Sequence, residues 1–81
     1  MSEINHITGR QVAAARALLG IGQVELAKSA NISAPTLRRI EDDKGGMKNN
    51  VAAVVSALEA AGVAFINNDR GEGVVKLRQA K

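Results

Sequence analysis

Two adjacent arginines lie in a segment whose spacing could present them to a groove of DNA. On a helical wheel, Leu37 and Ile40 define the buried side of this segment. Pro35, Arg38 and Arg39 point away from that side. A guanidinium group can donate two hydrogen bonds to O6 and N7 of guanine in the major groove. The pattern therefore predicts a helix that contacts base edges, with Arg39 as the best candidate for such a contact.

The 18 residues from Gln23 to Ile40 have the spacing of two short helices joined by a tight turn. Such helices cross closely only if a small residue faces the partner helix and a turn residue tolerates left-handed dihedral angles. Ala27 meets the first need, and Asn31 meets the second because asparagine adopts that conformation at little cost. Ile32 is one of the apolar residues that hold the second helix in place. The spacing predicts a DNA-binding helix-turn-helix.

Polar and basic residues near the ends of these helices are expected to contact the sugar-phosphate backbone of DNA. Gln23 opens the second helix, where an amide side chain and the positive end of the helix dipole can reach a phosphate. Ser33 caps the third helix, so a phosphate contact would be an additional role for it. The predicted backbone contacts are Gln23, Ser33, Thr36, Lys44 and Lys48. The predicted base-facing residues are Ala34, Pro35, Arg38 and Arg39.

Two opposite charges are expected to form a structural ion pair. Arg16 falls inside the apolar stripe of the first helix, one turn after Val12. Glu41 borders the Leu37 and Ile40 side of the third helix. Because each charge lies on the inward side of its own helix, we expect a partly buried pair that joins the two helices.

These segments together resemble a known family. Residues 23–27 (QVELA) and 32–41 (ISAPTLRRIE) are similar to the helix-turn-helix of phage repressor and Cro-type (XRE-family) proteins of bacteria. The resemblance covers about residues 9–61. It implies a bundle of short helices that binds operator DNA, usually as a dimer, to control transcription. By motif position it implies backbone contacts for Gln23 and Thr36, base-facing roles for Ala34, Pro35 and Arg39, and a structural pair of Arg16 with Glu41. The chain departs from the best-known members by having Ala34 and Pro35 where long polar side chains often stand.

Capping signals set the expected bounds of four helices. A Thr8 cap with Gln11 begins the first helix, and Gly20 ends it. The second runs from Gln23 to about Ala30 and the third, after Ser33, to about Asp42. The fourth begins at Asn49 or Asn50 and closes at Gly62. Alternating residues then predict strands over 63–67 and 74–78 around a turn.

The expected fold is mainly α, a compact bundle of four short helices containing the helix-turn-helix, followed by a C-terminal two-stranded β-hairpin. Its expected divisions are a flexible N-terminal arm (1–7), a DNA-binding domain (8–62) and the hairpin (63–81).

The hairpin must pack against something, because an isolated pair of strands is marginally stable in water. Either it folds over its own helices, or its edge pairs with the same element of a second copy. The sequence favours pairing between copies, since two recognition helices about 34 Å apart could read successive major grooves. The residues expected at this dimer contact are Val63, Phe65, Val75 and Leu77.

The composition of the chain limits which other classes of protein it could belong to. The chain has 81 residues, a formal net charge of +3 and no cysteine, and Phe65 is its one aromatic residue. These features predict one cytoplasmic domain without disulfides, cofactor or metal, and they argue against RNA-binding modules that need an aromatic platform. No apolar run is long enough to span a bilayer, so no membrane partner is expected. The one histidine, His6, has no predicted catalytic neighbour, so we expect no enzyme.

The alternative function is binding of a protein partner on the same fold. The chain would then be an antitoxin or a regulator held by another protein, and the exposed edge of the hairpin would receive that partner. The interpretation favoured by the sequence is a transcriptional regulator, a repressor or autoregulator, that binds double-stranded DNA as a homodimer.

Overall fold

A computed structural model describes residues 7–78 and has four helices followed by one two-stranded sheet. The predicted mainly α class, with four short helices followed by a C-terminal two-stranded hairpin, is confirmed, and the helix-turn-helix within it stays a prediction. The predicted N-terminal arm falls on residues 1–6, outside the described residues, and on Ile7, which is partly buried against the core. In chain order the elements are α1 (Gly9–Leu19), α2 (Gln23–Ala30), α3 (Ala34–Glu41), α4 (Lys48–Ala60), β1 (Val63–Asn68) and β2 (Gly71–Lys76).

Local capping chemistry sets the ends of α1 and α2. The Thr8 hydroxyl accepts from the backbone N–H of Gln11, and the Gln11 side chain accepts in return from the backbone N–H of Thr8, which is the predicted capping box. Gly20 ends α1 in the left-handed region at φ 71°. Asn31 ends α2 in the same region at φ 61°, as its place in the turn predicts.

The start of α4 differs from the prediction. The helix begins at Lys48 with Met47 as its cap, so neither Asn49 nor Asn50 is the capping residue. The backbone carbonyl of Met47 accepts from the N–H groups of Asn50 and Val51, and these bonds extend the helix upstream of the asparagines. At the other end the cap is Ala61, and Gly62 follows at φ 111°. Within residues 7–78, no helix has the length and apolar character needed to cross a membrane.

An aliphatic core joins all four helices to the first strand. Its members lie on the inward sides of the helices, as the helical periodicity predicts. Val63, the first residue of β1, is 2% exposed and belongs to this core. The buried residues of the core are Val12, Ala15, Leu26, Ala27, Ala30, Leu37, Ile40, Val54, Leu58 and Val63.

The hairpin turn is tighter than the sequence indicates. The strands extend to Asn68 and from Gly71, which leaves only residues 69 and 70 between them. The side-chain Oδ1 of Asn68 accepts from the backbone N–H groups of Arg70 at 2.8 Å and Gly71 at 3.2 Å. This local hydrogen bonding closes the turn earlier than the predicted boundary at residue 74.

The hairpin packs on its own helices, which is the arrangement that the sequence favoured less. Gln11 of α1 is 2% exposed, and its Nε2 donates to the carbonyl oxygens of Ile66 at 3.0 Å and Gly73 at 2.8 Å. Phe65 and Val74 are paired across the strands, and both pack against the core. The hairpin is therefore held within one chain, and pairing of its free edge with a second copy stays a prediction.

The four residues predicted at a dimer contact lie on two different faces of the hairpin. Val63 and Phe65 face the helices, whereas Val75 and Leu77 are exposed. The register explains this division, because Phe65 is opposite Val74 and Ala64 is opposite Val75. Cross-strand partners share a face, so Val75 lies on the outer face with Ala64. Val63 is buried in the core of its own chain, so its side chain is not part of an exposed surface.

Candidate nucleic-acid interface

α3 is buried on one side and exposed on the other. Leu37 and Ile40 lie in the core. Pro35, Arg38 and Arg39 are exposed, in agreement with the wheel drawn from the sequence. Because Arg38 and Arg39 follow Pro35 by three and four residues, the three exposed positions form one continuous face of the helix.

The N-terminal end of α3 is capped by its own hydroxyl groups. Ser33 Oγ accepts from the backbone N–H of Thr36 at 3.2 Å and lies 2.8 Å from Thr36 Oγ1. Ser33 is exposed and Thr36 is half-buried. Ala34 is also half-buried and packs against the core, so it is less accessible than Pro35 beside it. The accessible part of the helix start is therefore Ser33 and Pro35.

The C-terminal end of α3 is joined to α1 by a bidentate ion pair. The Glu41 carboxylate accepts from Arg16 Nε at 2.8 Å and from Arg16 Nη2 at 3.0 Å. Gln23 Nε2, at the start of α2, donates to the same carboxylate at 2.9 Å. Arg16 Nη1 also donates to the backbone carbonyl of Ile21 at 3.3 Å. One carboxylate thus connects three helices, and its side chain is only 6% exposed.

The electrostatics of this cluster favour the charged forms. Burial alone would raise the pKa of Glu41, but the hydrogen bonds from Arg16 and Gln23 and the charge of Arg16 together lower it. The hydrogen bond to Glu41 raises the pKa of Arg16 against the opposing effect of burial. The cluster therefore stays ionised, and its two charges are neutralised locally rather than presented to solvent.

A second set of contacts holds the end of α3 against the start of α1. The backbone N–H of Gly9 donates to Asp43 Oδ1 at 2.9 Å, and Asp43 adopts a left-handed conformation at φ 56°. Gly9 lies so close to the end of α3 that a Cβ atom there would collide with the carbonyl oxygens of Ile40 and Glu41. Only glycine permits this approach. α3 is thus fixed to α1 at two neighbouring places.

The basic residues fall into two groups. Arg10 and Arg16 have acidic partners: Arg10 Nη2 lies 3.0 Å from Glu72 Oε2, and Arg16 pairs with Glu41. Arg38 is exposed, and its side chain has no hydrogen bond or ion pair with another of residues 7–78. Arg39 is exposed as well, and its Nη2 donates to the backbone carbonyl of Lys44 at 3.3 Å.

The two predicted phosphate-contacting lysines are exposed. Lys44 follows α3, and Lys48 is the first residue of α4. The stretch from α3 to the start of α4 therefore has four exposed basic side chains, those of Arg38, Arg39, Lys44 and Lys48. Across residues 7–78 there is no cluster of three or more His, Asp or Glu side chains that could hold a metal ion.

Two features of the site have no clear signal in the sequence. Gln23 is predicted as a phosphate contact, but its side-chain Nε2 donates to Glu41 Oε1 at 2.9 Å, and the sequence gives no signal of this bond. The hydrogen bond between Gly9 and Asp43 joins residues that are 34 positions apart in the sequence. A glycine at the first helical position, directly after the predicted Thr8 cap, is the one local signal that could have indicated a close approach.

Comparison with models of known protein families finds no match for this chain. None of the curated proteins matches it significantly either.

Proposed function

We propose that this chain is a sequence-specific DNA-binding transcriptional regulator, acting as a repressor or autoregulator. In this proposal α2 and α3 form a helix-turn-helix, and the segment 33–42 enters the major groove. Arg39 contacts a guanine, Arg38 lies beside it, and the protein binds double-stranded DNA as a homodimer.

The observation that carries the proposal is the exposed arginine-bearing face of α3 on a helix anchored from behind. Leu37 and Ile40 hold the buried side, and the pair of Glu41 with Arg16 fixes the end. A helix held in this way can enter a groove without rearranging, which keeps the entropy cost of binding low. Arg38 and Arg39 extend from it into solvent.

Charge supports the same function. The net charge of +3 favours a polyanionic partner, and the four exposed cations from Arg38 to Lys48 could each neutralise a phosphate or contact a base. Asp42 and Asp43 oppose this, but they follow the C-terminal end of α3. The N-terminal part of a recognition helix usually lies deepest in the groove, so these carboxylates can remain outside it.

The test is selection of bound duplexes from a random DNA library, followed by titration at stated salt concentrations. We expect one enriched sequence that contains a guanine whose replacement weakens binding. Arg39→Ala should weaken binding to that sequence about 10-fold to 150-fold and should remove discrimination at the guanine position.

Arg70→Ala is the matched control, because it removes the same charge from the exposed hairpin turn. We expect it to keep the selected sequence preference with at most a small uniform loss of affinity. A library from which no sequence is enriched would contradict the proposal. An Arg39→Ala variant with unchanged sequence preference would remove Arg39 from the base-reading role.

A further inference from the structure

One edge of β2 is left without a partner strand. The backbone N–H of Leu77 donates to the carbonyl of Gly62 at 2.8 Å, which continues the register of the hairpin. In an antiparallel pair, hydrogen-bonded positions alternate. The N–H and C=O groups of Glu72, Val74 and Lys76 therefore point away from β1. Within residues 7–78 no other group forms a hydrogen bond to these backbone atoms.

An open groove runs along this edge. It has a volume of about 580 Å³ and lies between α1 and β2. Its α1 side includes Ala14, Ala17 and Leu18, and Leu18 is 44% exposed although it is apolar. An unpaired strand edge beside exposed apolar side chains is a surface suited to another strand.

We propose that this edge pairs with the same edge of a second copy, antiparallel, with Val74 opposite Val74 of the second copy. The charges of β2 identify the occupant. About a twofold axis that passes between the two Val74 residues, Glu72 of each copy lies opposite Lys76 of the other. Both residues are exposed in the single chain. Glu72 Oε2 already accepts from Arg10 Nη2 at 3.0 Å and from Thr8 Oγ1 at 3.2 Å, so the dimer would add Lys76 of the second copy to these contacts. Opposite charges directly across a strand pair stabilise it, so β2 is complementary to itself.

The hydrogen-bonding groups and the glycines fit the same register. Val74 points its backbone groups outward, so Val74 and its equivalent can exchange both hydrogen bonds. Gly73 would lie opposite Val75 of the second copy, and a Cβ at Gly73 would have nothing within 4 Å in the single chain. Glycine in a strand often marks a place where another backbone approaches closely. Val75 of the second copy would cover the space that Gly73 leaves.

The resulting four-stranded sheet would keep the two α1 helices on one side, because a twofold axis perpendicular to a sheet preserves its faces. Ile66, Val75 and Leu77 would lie together on the other side, with their equivalents from the second copy. This inference rests on the homodimer of the proposed function and names its surface. It can be tested without DNA, so its failure and the failure of DNA binding are separate results.

Charge exchange between the two positions is the most direct test. Lys76→Glu places two glutamates opposite each other, and Glu72→Lys places two lysines opposite each other. We expect sedimentation experiments to show a wild-type dimer and an approximately tenfold weaker self-association of each variant. An equimolar mixture of the two variants restores both opposite-charge pairs, so we expect it to form a heterodimer of about wild-type affinity.

A matched pair of variants controls for the change in net charge. Lys28→Glu and Glu59→Lys make the same charge changes at exposed positions of α2 and α4. We expect each of them to self-associate like the wild type, with no gain on mixing. A mixture of the control variants that associates as strongly as the mixture of the β2 variants would overturn the assignment to β2.

Amide hydrogen exchange then locates the paired edge. With increasing protein concentration, the backbone amides of Glu72, Val74 and Lys76 should exchange more slowly, whereas that of Phe65 on the opposite edge should not change. A wild-type protein that stays monomeric up to about 1 mM would overturn the proposal. So would a dimer that leaves the three β2 amides unprotected, or one that forms only around a different protein partner.

Discussion

Replacement of Glu41 by glutamine tests whether α3 is held by its ionic joint. The side chain keeps its size, but one of its two ends becomes an NH₂ group that faces donors. These donors are Arg16 Nε at one end, or Arg16 Nη2 and Gln23 Nε2 at the other. Arg16 then loses the charge that compensates its own burial. Breaking a fully buried pair costs about 3–5 kcal/mol. Since the Arg16 side chain is 22% exposed, water offsets part of this loss, and we expect destabilisation by about 2 kcal/mol.

Thermal unfolding followed by circular dichroism measures this change. For a domain of this size, about 2 kcal/mol corresponds to a fall in Tm of about 8–16 °C at pH 7. Glu59→Gln is the matched control, because Glu59 is exposed and its side chain has no ion pair or hydrogen bond with another of residues 7–78. We expect its free energy of unfolding to change by less than about 0.5 kcal/mol. Equal melting temperatures for the two variants would show that the ion pair of Arg16 with Glu41 does not stabilise the fold.

The pH dependence follows from the lowered pKa of Glu41. A carboxylate with a lower pKa in the folded state contributes its full stabilisation above the pKa of the unfolded chain, about 4.3 for glutamate. That contribution is lost as the pH falls through the folded-state pKa. The difference in stability between the wild type and Glu41→Gln should therefore be constant near pH 7 and shrink below about pH 4.3. A difference that grows in acid would contradict the assignment.

Substitutions at three further positions test the local geometry. Gly9→Ala should destabilise the fold by about 1–3 kcal/mol in chemical denaturation, because its methyl group meets the carbonyl oxygens that end α3. Gln11→Met should remove the hydrogen bonds to Ile66 and Gly73, with a loss of stability of about 1–3 kcal/mol. Hydrogen exchange should then become faster in the hairpin more than in α2. Equal effects on both elements would show that these two bonds do not hold the hairpin. Asn31→Gly should leave Tm unchanged or raise it, whereas Asn31→Val should destabilise the fold by about 1–2 kcal/mol because of the left-handed φ. A valine variant that is more stable than the glycine variant would contradict the left-handed turn.

The sequence predicts those parts of the fold that depend on local chemistry. Gly20 and Asn31 end helices in the left-handed region because few other residues adopt it cheaply. The inward positions of Arg16 and Glu41 follow from helical periodicity, and the two side chains meet at 2.8 Å. The exposed face with Arg38 and Arg39 follows from the same periodicity.

Features that depend on distant parts of the chain are not predictable in this way. The sequence identifies Gln11 as part of a capping box, but its reach to the hairpin depends on how β2 packs against α1. The predicted start of α4 is wrong because it follows the capping preference of asparagine, whereas the backbone hydrogen bonds to Met47 extend the helix upstream. Alternation identifies both strands, but the division between inner and outer residues needs the register, which a two-residue turn sets.

In the proposed complex with DNA, Arg39 contacts a guanine from the major groove. Methylation of guanine N7 in the selected duplex tests it most directly, because N7 is one of the two acceptors that a guanidinium group uses. We expect at least one guanine whose methylation weakens binding of the wild type and has no effect on binding of Arg39→Ala. An identical methylation pattern for the two proteins, or no interference at any guanine, would contradict it.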